Sequence, residues 1–245
     1  FEWGNDYVAG YLVPPEQRVK QIHVRSNSIY YGGAVEYIDQ FNSGSLVNSY
    51  NGHGNVGIYA SEALFRATDI RFLSNRGKYP ICYAWSCLVG YYDDPDSMSM
   101  AELLVRQPNA GAIAFYGAAA KALIAVDNPL VINYYARFYD PGVRTFGQGV
   151  LLTEMTMKAI SGGDNITQMY NLLGDPALEP AFPRQKLNTA VSWLTAASGQ
   201  TLQVQVTGEP AGLTGTLRAE LWLEGRRGVN VGSAAAVSQI PFSDG

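Results

Sequence analysis

Ser45-Leu-Val-Asn-Ser-Tyr-Asn-Gly-His-Gly54 and Tyr79-Pro-Ile-Cys-Tyr-Ala-Trp-Ser-Cys87 are the two stretches that decide the fold of this chain. Each is a short apolar, β-branched or aromatic segment of the kind found in buried strands. Residues 61–75 between them carry a helical pattern, so we predict a strand–helix–strand unit. Such a connection makes the two strands parallel and the crossover right-handed.

Each predicted strand ends in a residue that can do chemistry. His53 closes the first strand and Cys87 closes the second. Ligands bind outside the carboxyl ends of parallel strands, so we expect the two side chains to lie close together as a Cys–His nucleophilic dyad. The backbone N–H groups of Gly54 and Cys87 are the predicted oxyanion donors, since glycine leaves its N–H accessible. A buried strand cysteine is the blander interpretation of Cys87. The paired Gly-His-Gly run favours the dyad.

The remaining elements are predicted from periodicity, caps and turn residues. A helix ends over residues 8–13, before Pro14-Pro15. Ser99 and Glu102 have the spacing of a capping box, which opens a helix to Gln107. The other predicted elements are a strand at 19–24, a helix at 28–41, a third parallel strand at 112–116, and helices at 129–139 and 147–160.

The pattern changes near Pro183. Apolar and polar residues then alternate, with glycine-rich turns between segments, which indicates a small β-sandwich, immunoglobulin-like and incomplete. We therefore predict an α/β catalytic domain over residues 1–182 and a β-sandwich over residues 183–245. The predicted strands are 187–194, 201–206, 215–223 and 228–237.

Composition and charge restrict the partners. The 245-residue chain is 47% hydrophobic with a net charge of −4, so no basic face indicates nucleic acid. No apolar run approaches the roughly 20 residues of a membrane span. The sequence does not open on a signal peptide, so the chain is interpreted as a mature or excised piece. Cys82 and Cys87 should face opposite sides of one strand, which disfavours a disulfide between them.

Other polar residues have weaker signals. His23 lies within an alternating run and is interpreted as a packing or solvent-facing residue, and Cys82 as a core residue. Asp93, Asp94 and Asp96 form either a site for a cation or a basic side chain, or a solvated acidic turn. Structural calcium is a further expectation for the chain. Zinc is not supported, because one histidine and one cysteine fall short of four ligands.

The segments that carry His53 and Cys87 resemble those of a known family. Tyr50-Asn-Gly-His-Gly54, followed by Ala84-Trp-Ser-Cys87, is similar to the catalytic signature of the gingipains, cysteine peptidases of the caspase-like clan. Segments of residues 88–95, 101–104, 111–117 and 171–178 resemble successive family segments. The resemblance covers roughly residues 15–180 in order.

The resemblance implies a caspase-like three-layer α/β fold and a cysteine endopeptidase working through a thioester acyl-enzyme. Cys87 would attack the scissile carbonyl, and His53 would protonate the leaving amine and then activate water. The Gly54 and Cys87 amides would form the oxyanion hole. Trp85 and Asp127 would contact the substrate, Asp127 as the acid of the primary specificity pocket. A first-turn helix acid before Pro129 is the simpler interpretation of Asp127.

The family context also implies protein or peptide substrates, no required cofactor, and secretion to the bacterial exterior or cell surface. Two departures stand out. The acid that orients the histidine in the family lies near or before Phe1, and neither Glu2 nor Asp6 can be assigned to that role. The family's preceding α/β half has no counterpart here, so we expect partner domains in a longer parent chain.

Three other functions remain open on the sequence alone. Transfer of the acyl group to an amine, as in sortase-like attachment to the cell surface, would use the same residues. A peptidase-derived structural or assembly module would keep the dyad but leave it idle. A carbohydrate- or surface-binding role for the C-terminal sandwich rests only on fold analogy.

Overall fold

The structure is a computed structural model of the chain. It describes residues 1–14, 17–161, 164–182, 188–191, 204–207, 214–220 and 237–243.

A four-stranded sheet forms the centre of the first part of the chain. Its strands are β1 (Val47–Asn51), β5 (Ile81–Trp85), β6 (Ala114–Ala118) and β7 (Tyr170–Leu173), adjacent in the order β1-β5-β6-β7. The pairs β1–β5 and β5–β6 are parallel, and β6–β7 is antiparallel. The predicted mixed α/β fold with a mostly parallel sheet is confirmed.

The register of this sheet makes β1 and β5 end at the same level. Val47 lies opposite Ile81, and Asn51, the last residue of β1, lies opposite Trp85, the last residue of β5. The Gly52 N–H then donates to the Trp85 carbonyl at 3.3 Å, which extends the pairing one residue further. Whatever follows each strand therefore emerges from the same sheet edge.

Helices and short strands complete the first part of the chain. The helices are α1 (Glu2–Tyr7), α2 (Ala34–Ser43), α3 (Met100–Arg106), α4 (Ile124–Phe138), α5 (Phe146–Ser161) and α6 (Asp164–Met169). A π-helical turn, Val8–Leu12, follows α1, and a 3₁₀ helix covers Ala67–Phe72. A second small sheet consists of β2 (Gly54–Asn55), β3 (Ile58–Tyr59) and β4 (Phe65–Arg66). None of the helices described here has the length and hydrophobicity to cross a bilayer.

Side-chain alternation along β5 separates two cores. Cys82 and Ala84 belong to the cluster that α2 and α3 cover, together with Phe41 and Leu104. Successive strand residues point to opposite faces, so Tyr83 and its neighbours face the other side. There the buried aromatic residues Tyr83, Trp85, Tyr116, Tyr134, Tyr135, Phe138, Phe146 and Tyr170 pack together. Helices thus cover both faces of the sheet in three layers.

Several sequence predictions of helices are confirmed. Ser99 caps α3: its Oγ accepts from the Glu102 N–H, and the Glu102 carboxylate accepts from the Ser99 N–H. The predicted helices at 129–139 and 147–160 correspond to α4 and α5, although α4 begins earlier, at Ile124. The helix expected to end before Pro14 is the pair formed by α1 and the π-helical turn.

The helix predicted over residues 61–75 is wrong. The structure has β4 and a 3₁₀ helix there, and Ala60 and Ala63 adopt positive φ values of 62° and 56°. Phe65 pairs with Tyr59 in the small sheet and is fully buried. Burial of this aromatic pair decides the local conformation against the helical spacing of the sequence.

The strand predicted over residues 19–24 is also wrong. Only an isolated bridge joins His23 to Tyr31, because the chain turns back directly after residue 24. The helix predicted over 28–41 begins at Ala34, where the Gly33 N–H donates to the Glu36 carboxylate at 2.9 Å.

A second compact unit begins at Ala181, after a first unit that includes Phe1–Pro180. Its described strands are β8 (Asn188–Val191), β9 (Val204–Thr207), β10 (Thr214–Glu220) and β11 (Val237–Ser243). β8–β9 and β10–β11 are antiparallel pairs. Most of the predicted strand 228–237 lies outside the described residues. The immunoglobulin-like sandwich and the boundary near Phe182 stay predictions.

Two asparagines bridge neighbouring segments in the same way but at different depths, and they test the energetics of this framework. Asn75, 1% exposed, donates to the Gly111 carbonyl at 2.8 Å and accepts from the Gly111 N–H at 2.9 Å. Asn42, only partly buried, makes the matching contacts with the Phe72 carbonyl and the Ser74 N–H.

We expect Asn75→Ala to lower the free energy of unfolding by about 2–4 kcal/mol, because it leaves buried backbone groups unpaired. Asn42→Ala should cost about 1 kcal/mol or less, because water can replace the lost amide. Urea denaturation of both variants measures the difference. Equal losses would contradict the burial argument.

Candidate active site

The strand ends position His53 and Cys87 at one sheet edge. His53 lies two residues beyond Asn51, and Cys87 two residues beyond Trp85, the residue opposite Asn51. Neighbouring strands lie about 4.8 Å apart, so the two residues leave the sheet side by side. The backbone therefore brings together the histidine and the cysteine that the sequence singled out.

Two hydrogen bonds fix the backbone of His53. Its carbonyl accepts from the Tyr50 hydroxyl at 2.5 Å and from the Ala60 N–H at 2.8 Å. Tyr50 is itself buried and stacks on Tyr59, with ring centroids 4.1 Å apart. The His53 side chain is exposed, and its ring meets that of Phe1. A rigid backbone thus carries an accessible imidazole.

Cys87 lies in a sharp turn that returns along the loop after β6. Leu88 adopts a φ of +59°, a left-handed conformation that is unusual for a leucine. The Leu88 N–H donates to the Ala120 carbonyl at 3.1 Å, and the Gly90 N–H to the Ala118 carbonyl at 2.9 Å. Strained backbone of this kind concentrates at functional sites.

The Cys87 thiol is half-buried and donates to the Ala122 carbonyl at 3.3 Å. Its hydrogen bond in this structure therefore goes to the loop after β6 and not to His53. Nucleophilic attack requires the Cys87 sulfur to leave this carbonyl.

Gly54 brings the histidine segment against the cysteine segment. A Cβ atom on Gly54 would lie 2.3 Å from Ser86 Oγ and 3.0 Å from Val89 Cγ1, so a larger residue would force these side chains to move. The Ser86 hydroxyl is buried, and no described residue bonds to it. The roles of the Gly54 and Cys87 amides as oxyanion donors stay predictions.

Trp85 occupies a different place from the one expected of a substrate contact. The side chain is 0% exposed, its indole N–H donates to Ser49 Oγ at 3.2 Å, and it packs in the aromatic core. Its place in strand β5 explains this: successive strand residues point to opposite faces, so Trp85 points away from the face of Ala84 and into the aromatic core. The role of Trp85 in substrate binding stays a prediction.

Asp127 lies in the first turn of α4 and is 3% exposed. Its carboxylate accepts from the Tyr170 hydroxyl at 2.8 Å. Burial raises the pKa of Asp127, and the Tyr170 hydrogen bond partly offsets the rise. Tyr170 pairs with Ala118 at the end of β6, and the Ala118 carbonyl accepts from the Gly90 N–H in the turn after Cys87. Asp127 thus belongs to the Cys87 end of the sheet, and its role in specificity stays a prediction.

The structure also describes the two cysteines and the acidic turn. Cys82 is buried, which raises the pKa of its thiol, and both Cys82 and Cys87 are free. Asp94 accepts from the Asp96 N–H and the Ser97 hydroxyl, which organises the acidic turn. Within the described ranges no three His, Cys, Asp or Glu side chains group as metal ligands. Structural calcium stays a prediction.

The two acids considered for orienting His53 are engaged or positioned elsewhere. The Glu2 carboxylate lies 2.5 Å from the Arg25 guanidinium and 3.8 Å from His23 Nδ1. Asp6 is exposed on α1. His23 itself is buried and its Nδ1 is 2.9 Å from Ser28 Oγ, in agreement with its interpretation as a packing residue.

Sequence reasoning missed the residues that support the site. Tyr50, Ser86 and Leu88 lie within segments that resemble the family, but their supporting roles depend on packing and turn geometry, which the sequence does not show.

The chain belongs to the class of three-layer α/β proteins with a mostly parallel sheet, and His53 and Cys87 follow two adjacent parallel strands at one edge of that sheet. Within that class the comparison with known families is specific. The chain belongs to peptidase family C25, whose sequence profile matches residues 6–181. No curated protein matches the sequence.

Solved structures share the fold. The Arg-specific cysteine proteinase gingipain R (RgpB) aligns with a TM-score of 0.58 at 21% identity, over 85% of this chain and 49% of its own. The complex of the pro- and mature domains of RgpB from Porphyromonas gingivalis aligns with a TM-score of 0.57 at 19% identity, covering 85% and 50%. A structure described as a protease gives 0.63 at 15% identity, covering 97% and 56%. The chain thus spans about half the length of these structures.

The raised pKa of Asp127 generates a pH-dependent prediction. At pH values between the unfolded and the folded pKa of Asp127, folding takes up a proton. The free energy of unfolding that Asp127 contributes therefore falls as pH rises through that window. Asp127→Asn keeps an oxygen for Tyr170 and removes the buried charge. At neutral pH we expect the variant to gain about 1.4 kcal/mol on the parent for each unit by which the pKa is raised.

Denaturation of both proteins from pH 7 downward measures this gain, which should shrink as pH falls toward the unfolded value. Asp96→Asn, at an exposed aspartate, is the matched control and should show no such trend. A gain for Asp127→Asn that does not vary with pH would contradict the assignment.

Proposed function

We propose that the chain is a cysteine endopeptidase in which Cys87 and His53 act as a nucleophilic dyad. The observation that carries this proposal is the register of β1 and β5, which delivers the two residues to one edge in a chain of family C25. The free, half-buried Cys87 fits the role of nucleophile better than Cys82, which is enclosed in the core.

The proposed reaction begins with transfer of the Cys87 thiol proton to His53. The sulfur then bonds to the scissile carbonyl carbon, and the carbonyl oxygen takes the negative charge. The N–H groups of Gly54 and Cys87 are the proposed donors to this oxygen. His53 returns the proton to the leaving amine as the C–N bond breaks, which leaves a thioester on Cys87.

A second half-reaction releases the acid. Water gives a proton to His53 while its oxygen bonds to the thioester carbonyl carbon. The C–S bond then breaks, and the Cys87 sulfur takes the proton back from His53 to restore the thiol. Neither half-reaction needs a metal or an organic cofactor. If an amine takes the place of water, the same intermediate gives transpeptidation.

Substrate preference is proposed from the position of Asp127. RgpB is described as Arg-specific, and a buried carboxyl at the Cys87 end of the sheet supports a basic side chain before the cleaved bond here. A bound cation would favour the ionised form of Asp127, against the effect of burial. Protein substrates, partner domains in a longer parent and a secreted or surface location are part of the same proposal.

An idle, peptidase-derived module is the second candidate. The hydrogen bond from Cys87 to Ala122 favours it, since the thiol in this structure is engaged by a backbone carbonyl. The two candidates differ in whether the thiol can leave that carbonyl for a substrate.

Cleavage of a mixed peptide library tests the proposal. We expect Cys87→Ala to reduce cleavage at least about a thousandfold, because the nucleophile is lost. Cys82→Ala, the matched control at the buried cysteine, should keep activity. Asp127→Asn should lose the basic preference while still cleaving. An added amine that appears in the products would identify acyl transfer.

The outcomes separate the candidates. Cleavage that survives in Cys87→Ala would contradict the proposal. If the parent cleaves nothing, a peptidyl electrophile decides: adduct formation at Cys87 indicates a competent but latent site, and no adduct indicates the idle module.

A further inference from the structure

We propose that Phe1 is a positioning residue for His53, which packs against the imidazole and restricts its rotation. The inference rests on the proposed function, because it concerns how the dyad histidine is held. The contact acts beside whatever polar group orients the imidazole through a ring nitrogen.

The contact itself has a defined geometry. The Phe1 and His53 rings lie with their centroids 4.9 Å apart and their planes at 72°, an edge-to-face arrangement. This separation is within the range in which aromatic pairs attract each other. An imidazole that spins about its Cβ–Cγ bond would lose the arrangement, so the contact favours a limited set of ring orientations.

The His53 side chain is exposed, and among the described residues none forms a hydrogen bond or an ion pair with its ring nitrogens. Tyr50 and Ala60 hold only its backbone carbonyl. Glu2, the acid next to Phe1, is instead paired with Arg25. The contact with the Phe1 ring is therefore the interaction from which the restraint on the imidazole is inferred.

Phe1 is in turn held by the way α1 is anchored. Next to it, the Glu2–Arg25 ion pair of 2.5 Å ties the start of the helix to the segment after residue 24. One turn on, a Cβ on Gly4 would lie 2.9 Å from Asn128 Oδ1 and 3.1 Å from Asn51 Nδ2. Glycine thus lets α1 approach β1 and α4 closely, at the residue two positions before His53.

The two amides at this approach are unusual in their own right. Asn51 is 6% exposed, and neither of its side-chain polar atoms has a partner among the described residues. The buried Asn128 Oδ1 is in the same state. Buried polar atoms without partners are rare, so the close packing of α1 at this point is maintained at a cost. An atom added at Gly4 would press on these two side chains.

The chain has only two histidines, which allows a direct spectroscopic test. In NMR spectra of the folded chain we expect Phe1→Ala to move the His53 Hε1 and Hδ2 resonances toward those of a free imidazole, because the ring current of Phe1 is lost. The His23 resonances should stay in place. Phe1→Tyr keeps the aromatic ring and should restore the parent spectrum, whereas Phe1→Leu should not.

Matched variants separate positioning from general disturbance. Gly4→Ala should move the His53 resonances as well, because the added methyl displaces α1, whereas Gly10→Ala, with nothing within 4 Å of its Cβ, should not. Trp3→Ala, at a 62% exposed side chain on the same helix, should also leave His53 unchanged.

In a chain that cleaves peptides, Phe1→Ala should lower kcat about two- to tenfold with little change in KM. The NMR measurement does not need a catalytically active chain. An inactive chain would therefore argue against the proposed peptidase activity without deciding whether Phe1 positions His53. His53 resonances that do not move in Phe1→Ala, or that move equally in Trp3→Ala, would overturn the proposal.

Discussion

The parallel pairing of β1 with β5 is the constraint on which the rest of the molecule depends. Asn51 and Trp85 end their strands opposite each other, and the segments that follow carry His53 and Cys87. A slip of one residue in a parallel ladder would turn one of these side chains to the other face of the sheet. The aromatic core around Tyr83 and Trp85 disfavours such a slip, because the slip would expose large rings that are now buried.

Close backbone approach at the sheet edge adds a second level of organisation. Gly54 lies against Ser86, and Gly4 lies against Asn51 and Asn128. At the same edge Leu88 takes a left-handed conformation to turn the chain after Cys87. Strain and unpaired polar atoms thus gather where the proposed chemistry takes place, as expected when a framework enforces a geometry that local preferences do not favour.

Much of the fold could be predicted from the sequence, because buried parallel strands and capped helices leave clear patterns. Residues 45–54 and 79–87 located β1 and β5, and Ser99 with Glu102 located α3. The failures have one physical cause. Phe65 is drawn into the core through a three-stranded sheet, and His23 is buried by a turn, so long-range burial overrode the local period. The dyad candidates could be found by residue type, whereas Tyr50, Ser86 and Phe1 emerge only from contacts.

The central claim is that His53 activates Cys87 at this edge, and the rate of covalent capture tests it most directly. A peptidyl electrophile, followed by mass spectrometry of the modified peptide, measures the rate for the parent chain and for His53→Ala. The account predicts modification at Cys87 and not at the buried Cys82, slowed at least about a hundredfold in His53→Ala because the proton acceptor is lost. Equal rates in the two proteins would contradict it.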